Sequence, residues 1–467
     1  AYAVLAANVF AATAAFGVFQ RAAQFDDLIR GLEFVGNAAG RNLPMVSKRL
    51  KEITNNALST ESAMRATALA TGAGFSVTQL EGLTKIAKGA SIALGRDLTD
   101  ALEGILKSTQ KGDFVIEKEF EDMHSKIEFL LTQKLGDLGK KIHTARSRND
   151  QVLVALQLYI KEELSQIKKE VVKLFDLLLK LAETHQKDLL PGYTHMQVAM
   201  PSSFGLWFSA YAESLVDDVA FLNTAFRLAD QNPLGSAAGF GSSFPIDREL
   251  TSKELGFKTL KYNVVAAQMG RGKVEKASAT AIGMLGGTLA QLAMDICMYM
   301  GQDFDFIHFP EELTTGSSIM PHKKNPDVFE LIRGKCNLLQ GLPQQLALLT
   351  SNLPSGYHRE MQLAKAPLVD AFQEIKACLE MMHFSLSKIE VRKNITDDSK
   401  YDYLFSVDTL NEWVKQGIPF REAYQKMGKE IASGNYTPKR DLSHSHLGSI
   451  GNLQLDAIRD KMKSVGS

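Results

Sequence analysis

The chain has 467 residues, with 53 basic and 53 acidic side chains and a formal net charge of zero, long enough for two or three domains with a large core. That balance leaves no electrostatic footprint for a nucleic acid or an anionic membrane surface. Three cysteines lie far apart and the ten histidines form no metal-ligand run, which excludes a disulfide framework and a zinc motif and points to a reducing, cytoplasmic setting.

Ala1 to Gln20 is uncharged and rich in alanine. It has neither a basic start nor a clear cleavage site, and Asn8, Thr13 and Gln20 dilute its apolarity, so a buried or assembly-facing helix is expected there rather than a signal or membrane segment. Residues to about 102 are punctuated by Ala and Gly, with short amphipathic runs at Asp26–Phe34 and Met45–Ile53. From Leu102 the helical patterns lengthen. Gln151–Glu183 carries apolar residues at Val152, Leu156, Tyr159, Ile160, Leu164, Ile167, Val171, Leu174, Leu178 and Leu181, steps of three and four that define one long helix. Ser202–Asp230, Val274–Phe306, Pro326–Ser351 and Ala366–Glu390 repeat the pattern. Five long helices and no convincing strand pattern predict an all-α fold, an extended helix bundle. The last 70 residues carry shorter patterns broken by Pro419, Pro438 and Gly448, which suggests a small further domain.

Four polar loops separate the helices: His143–Asp150, Pro191–Gln197, Thr315–Pro326 and Ser355–Gln362. Such dense functionality is unusual for connectors. Arg146, Arg148, Lys323, Lys324 and Arg359 would suit a substrate with several carboxylates. Taken singly, each feature has a plainer explanation: a loop cation is usually just solvated, His195 serves equally as a packing residue, and Ser317–Ser318 serve equally as a helix cap. Their joint appearance is what points to a site.

Gly316-Ser-Ser-Ile-Met-Pro-His-Lys-Lys-Asn-Pro326 resembles the mobile signature loop of the fumarase/aspartase superfamily, whose members release fumarate or a close analogue. His143-Thr-Ala-Arg-Ser-Arg-Asn-Asp-Gln151, Gly192-Tyr-Thr-His-Met-Gln197, Pro233-Leu-Gly-Ser236, Phe244–Leu250 and His446–Asn452 resemble the argininosuccinate lyase family within it, with Ala145 where glycine is usual. This resemblance covers about residues 110 to 467. It implies β-elimination of argininosuccinate to arginine and fumarate without cofactor or metal, by a homotetramer whose long helices form a central bundle and whose subunits share active sites.

The resemblance also implies roles. Ser317 is the expected base, with Ser318 beside it as the alternative. Lys323 and Asn325 would stabilise the aci-carboxylate. His195, paired with Glu330, would be the second acid/base element. Arg148, Asn149, Thr194, Tyr357, Gln362 and Lys365 match substrate-binding positions, as does His124, which with Asp122 forms a further family motif. Arg271 falls where the family places an arginine, though Gln-Met-Gly-Arg-Gly-Lys departs from the commoner pattern.

Residues 1–109 show no Trp-Gly-Gly-Arg-Phe-like segment. About residues 19–101 instead resemble part of a phage tail tape-measure protein, which implies a fusion joined near Asp100–Lys111 and, with it, weak substrate binding. The expected organisation is an atypical helical segment (1–102), a remnant of the lyase N-terminal domain (103–145), the central bundle (146–397) and a small C-terminal helical domain (398–467). The rival readings are an adenylosuccinate lyase, against which the Ser-Arg-Asn-Asp-Gln loop argues, and a non-catalytic crystallin-like or phage structural protein.

Overall fold

The computed structural model describes residues 123–141, 143–442 and 444–466. The expectations for 1–102, for the tape-measure-like stretch and for Asp122 fall outside these. The chain divides into two units, Ala1–Ala145 and Arg146–Ser467. Of the first, two helices are described, α1 (Met123–Leu135) and the short α2 (Asp137–Lys141).

The second unit is mostly helical, as the periodicity predicts. Its longest element is α3 (Arg148–Thr184, 37 residues), started by Ser147, whose hydroxyl accepts from the Asn149 N–H at 3.3 Å. Ile160, Leu164, Ile167, Val171, Leu174 and Leu178 form its buried stripe, whereas Val152, Leu156, Tyr159 and Leu181 are only half-buried. A hairpin follows, then α4 (Phe204–Ala229), capped by the buried Ser203 through the Leu206 N–H at 3.0 Å. After α5 (Arg248–Glu254) and α6 (Val264–Met269) comes α7 (Lys273–Tyr299). The core is the contact of α3 with α4 and of α4 with α7. The stretch Val264–Tyr299, which α6 and α7 share, has the length and apolarity of a membrane span, but 56% of its most apolar window is buried within the fold, as in a core element.

The structure corrects three boundaries. The expected helix Val274–Phe306 stops at Tyr299, because the chain turns at Gly301 and folds Phe304 and Phe306 back against Tyr299, with ring centroids 6.3 and 5.4 Å away. Pro326–Ser351 is two helices, α8 (Asp327–Leu339) and α9 (Leu342–Leu349). Pro343 explains the break, since it has no N–H to donate and its ring clashes with the carbonyl four residues back. Ala366–Glu390 ends as α10 (Lys365–Leu386), and Glu390–Val391 instead pairs with Ile307–His308. Helix α7 lies close to α8 at Gly286, where a Cβ would stand 3.0 Å from the Cys336 carbonyl oxygen. The last stretch holds α11 (Ser406–Lys415), α12 (Phe420–Ala432) and α13 (Leu455–Gly466), the last packed on α4.

No strand was expected, yet short two-stranded pieces occur between the helices. The largest joins β1 (Leu189–Thr194) to β2 (Gln197–Ser203), antiparallel, with Thr194 facing Gln197. Another joins β3 (Thr315–Gly316) to β4 (Lys324–Asn325). Both are built from the polar loops, whose side chains lack the apolar alternation that betrays a strand.

Candidate functional site

Each of the four polar loops is a braced structure. At the start of α3, Arg148 and Asn149 are half-buried and Asp150 is fully buried. The Asp150 carboxylate accepts from the Gly235 N–H at 3.1 Å and the Ala237 N–H at 2.9 Å. Burial raises its carboxyl above the usual range, against those hydrogen bonds and the charges of Arg146 and Arg248. Asp150 thereby ties the Pro233–Ser236 loop to the helix turn that presents Arg148 and Asn149. Two further side chains hold that loop. Gln268 donates to the Ser236 hydroxyl at 2.8 Å, and Arg248 donates to the carbonyls of Leu234, Tyr262 and Lys261 at 2.9, 3.1 and 2.7 Å. Sequence reasoning assigned no role to Asp150, Arg248 or Gln268. The available signal for the first two was a charged residue inside a quoted motif.

Thr194 and His195 sit at the tip of the β1–β2 hairpin. His195 and Met196 are the two central turn residues and both have positive φ, 52° and 60°, the geometry of a type I′ turn that glycine or asparagine normally supplies. Holding two larger residues there costs energy, and the result is a histidine projected into solvent at a fixed position. Gly192 is required for the same hairpin, since a Cβ there would lie 2.7 Å from the Met200 carbonyl oxygen. Tyr193 anchors it by donating to the Tyr401 hydroxyl at 3.3 Å and packing on Phe304.

The signature segment is the loop closing β3 to β4. Its base is stitched by Asn325 donating to the Thr315 hydroxyl at 3.4 Å and by Thr315 donating to the Asp327 carboxylate. The half-buried Ser317 has its Oγ facing two backbone donors, the N–H groups of Ile319 at 3.3 Å and Met320 at 3.1 Å. Ser318 and Lys323 are exposed, as is Glu330 in the first turn of α8. Lys324 is held by Glu311 at 2.9 Å, which leaves Lys323 as the lysine of the pair free of an ion-pair partner among the described residues.

The fourth group comes together most closely. The Gln362 amide donates to the Tyr357 hydroxyl at 2.7 Å, and the Arg271 guanidinium lies 5.3 Å from the centre of the Tyr357 ring. Lys365, at the start of α10, belongs to the same cluster: burial first, and then the charge of Arg271, hold its ammonium below the ordinary lysine range. The expected His195–Glu330 pair is not formed within one chain, as no hydrogen bond or ion pair joins the two among the described residues. One lies on a hairpin tip and the other on a helix, both exposed. His124 lies on α1, in the other unit.

The arrangement is a set of rigidly mounted polar tips carrying cations, amides, a histidine and a serine with backbone donors at its oxygen. Such a set can grip carboxylates and move protons. A family model described as "Lyase" matches residues 88–341, so the family-like sequence starts earlier than the expected bound near residue 110. The argininosuccinate lyase of Phocaeicola vulgatus is 54% identical over 364 residues, 78% of this chain and 82% of that one. That of Xanthomonas campestris pv. campestris is 37% identical over 371 residues, 79% and 86% of the two chains. Among solved structures, an EDDS lyase variant with bound fumarate superposes with a TM-score of 0.65 at 18% identity, over 95% of this chain and 91% of that one, a likeness of fold.

Proposed function

This chain belongs to the argininosuccinate lyase family, and we propose from that premise that it splits argininosuccinate into arginine and fumarate. It is a carbon–nitrogen lyase. In the reaction a proton leaves the carbon beside a succinyl carboxylate, the electrons spread onto that carboxylate, and collapse to fumarate expels the guanidinium. Ser317 is the base in this reading. A free hydroxyl is far too weak a base, so its alkoxide must be stabilised by donors in place. The Ile319 and Met320 N–H groups at Ser317 Oγ are the observation that carries the assignment and favours Ser317 over the exposed Ser318. Lys323 and Asn325, on the same loop, would take up the charge of the aci-carboxylate. His195 on its braced tip would return a proton to the leaving nitrogen, with Glu330 supporting its basicity. Arg148, Asn149, Thr194, Tyr357, Gln362 and Lys365 would grip the remaining substrate groups. No cofactor or metal takes part in this scheme.

The assembly is read as a homotetramer with shared sites. Exposed apolar side chains support it: Leu331 and Leu338 on α8, Met284 and Met294 on α7, and Leu348 on α9, a helical face that a second copy would cover. The separation of His195 from Glu330 supports it as well, since a neighbouring subunit could supply the missing partner. The setting is read as cytoplasmic.

The test follows fumarate release by ultraviolet absorbance, from argininosuccinate and separately from adenylosuccinate. Release from argininosuccinate is expected, with Ser317→Ala slower by roughly a hundredfold or more, as for a lost general base. Release from adenylosuccinate alone would refute the substrate, and an unimpaired Ser317→Ala protein would refute the base.

A further inference from the structure

Arg271 stands between α6 and α7, flanked by Gly270 and Gly272, and its side chain is 6% exposed. An arginine carries five N–H donors, and a buried one normally saturates them. This one makes a single long hydrogen bond, from Nη2 to the Met361 carbonyl at 3.4 Å, while Nε and Nη1 have no partner among the described residues. Its charge acts on the buried carboxylate of Glu275, whose Oε2 is already taken by the Gly272 N–H at 2.7 Å and whose Oε1 has no partner among the described residues. A guanidinium kept for stability alone would pair with that carboxylate. Instead its Cζ lies against the Tyr357 ring, 5.3 Å from the ring centre, and its one hydrogen bond goes to the turn Arg359–Ala364 that carries Gln362.

These contacts stack in three layers. Arg271 is buried, Tyr357 above it is half-buried, and Gln362, donating to the Tyr357 hydroxyl at 2.7 Å, is exposed. Because that hydroxyl accepts from Gln362, its own proton is left to donate outward. Lys365 sits at the same end of α10 and feels the Arg271 charge. We propose that Arg271 is a positioning residue of the lyase site, fixing the Tyr357–Gln362 pair from beneath through the Tyr357 ring and the Met361 carbonyl, without touching substrate itself. The proposal rests on the lyase reading above for what the pair binds, but not for the stacking.

The experiment compares the full-length protein with Arg271→Met, Arg271→Lys, Tyr357→Leu and the Arg271→Met/Tyr357→Leu double variant, each checked for retained helicity. Loss of a desolvated cation–aromatic contact corresponds to about 5- to 30-fold in binding. Arg271→Met should raise KM for argininosuccinate by that factor while kcat changes far less, and Arg271→Lys should recover part of the loss. The double variant should lose clearly less than the two single losses combined, because the part of the Arg271 effect that runs through the ring has nothing left to act on, and only the part through the Met361 carbonyl remains. In parallel, 3-fluorotyrosine at position 357 gives a fluorine resonance that should move in Arg271→Met and less in Arg271→Lys, whether or not substrate is turned over. A shifted resonance in a protein silent towards argininosuccinate would keep the stacking and sink the lyase reading. An unmoved resonance, or an Arg271→Met penalty that adds in full to that of Tyr357→Leu, would overturn the proposal. If Arg271→Met fails to fold, the Arg271→Lys resonance and KM decide alone, and wild-type values in both would overturn it.

Discussion

Replacing Asp218 by asparagine should stabilise the protein, and only above a definable pH. Asp218 lies on α4, 3% exposed, with one carboxylate oxygen lacking a partner among the described residues. Burial, with a smaller push from Asp217 and against a hydrogen bond with Thr288, raises its carboxyl from 3.8 to about 6. Below pH 3.8 the folded and unfolded chains both hold the neutral acid, and the raised value costs nothing. As pH climbs from there to about 6, the unfolded chain ionises first and stability falls; above that the penalty is complete. At about 1.4 kcal/mol per pH unit, the difference amounts to at most about 3 kcal/mol. The Asp218→Asn side chain would keep the shape and carry no charge. Chemical denaturation of both proteins between pH 4 and 8 should therefore show a stability gap that opens as pH rises towards 6 and then stays level. A gap that is constant with pH, or that closes on going alkaline, would refute the argument.

Two further outcomes follow from the braces and the exposed faces. Asp150→Ala leaves the Gly235 and Ala237 N–H groups without their acceptor, which should cost about 2–5 kcal/mol in chemical denaturation and raise KM by loosening Arg148 and Asn149; a loss under about 1 kcal/mol would show the brace to be idle. Leu338→Glu places a charge on a side chain that is 81% exposed in the single chain; size-exclusion chromatography should show a smaller species with unchanged helicity and little activity, and an active monomer would contradict shared sites.

The long helices were legible because burial imposes a period. Ile160, Leu164, Ile167, Val171, Leu174 and Leu178 recur in steps of three and four, and all are buried. The helix ends were less legible, since chain reversal at Gly301 depends on where Tyr299, Phe304 and Phe306 meet. The break at Pro343 was open to inspection, but an unbroken apolar pattern concealed it. The β1–β2 and β3–β4 hairpins were hidden for a related reason: polar, partly exposed strands of a few residues have no alternating pattern to read, and the turn at His195–Met196 uses none of the usual turn residues.

The amino-acid sequence by itself determined the all-helical class and the family, because a helix period and a loop such as Gly316–Pro326 are properties of neighbouring residues. Tertiary structure alone decided what lies behind those loops. Asp150 reaches Gly235 and Ala237 across 85 and 87 positions of chain, and Arg271 reaches Met361 across 90. No local pattern encodes such contacts, since they exist only once packed helices bring distant backbone groups within hydrogen-bond range.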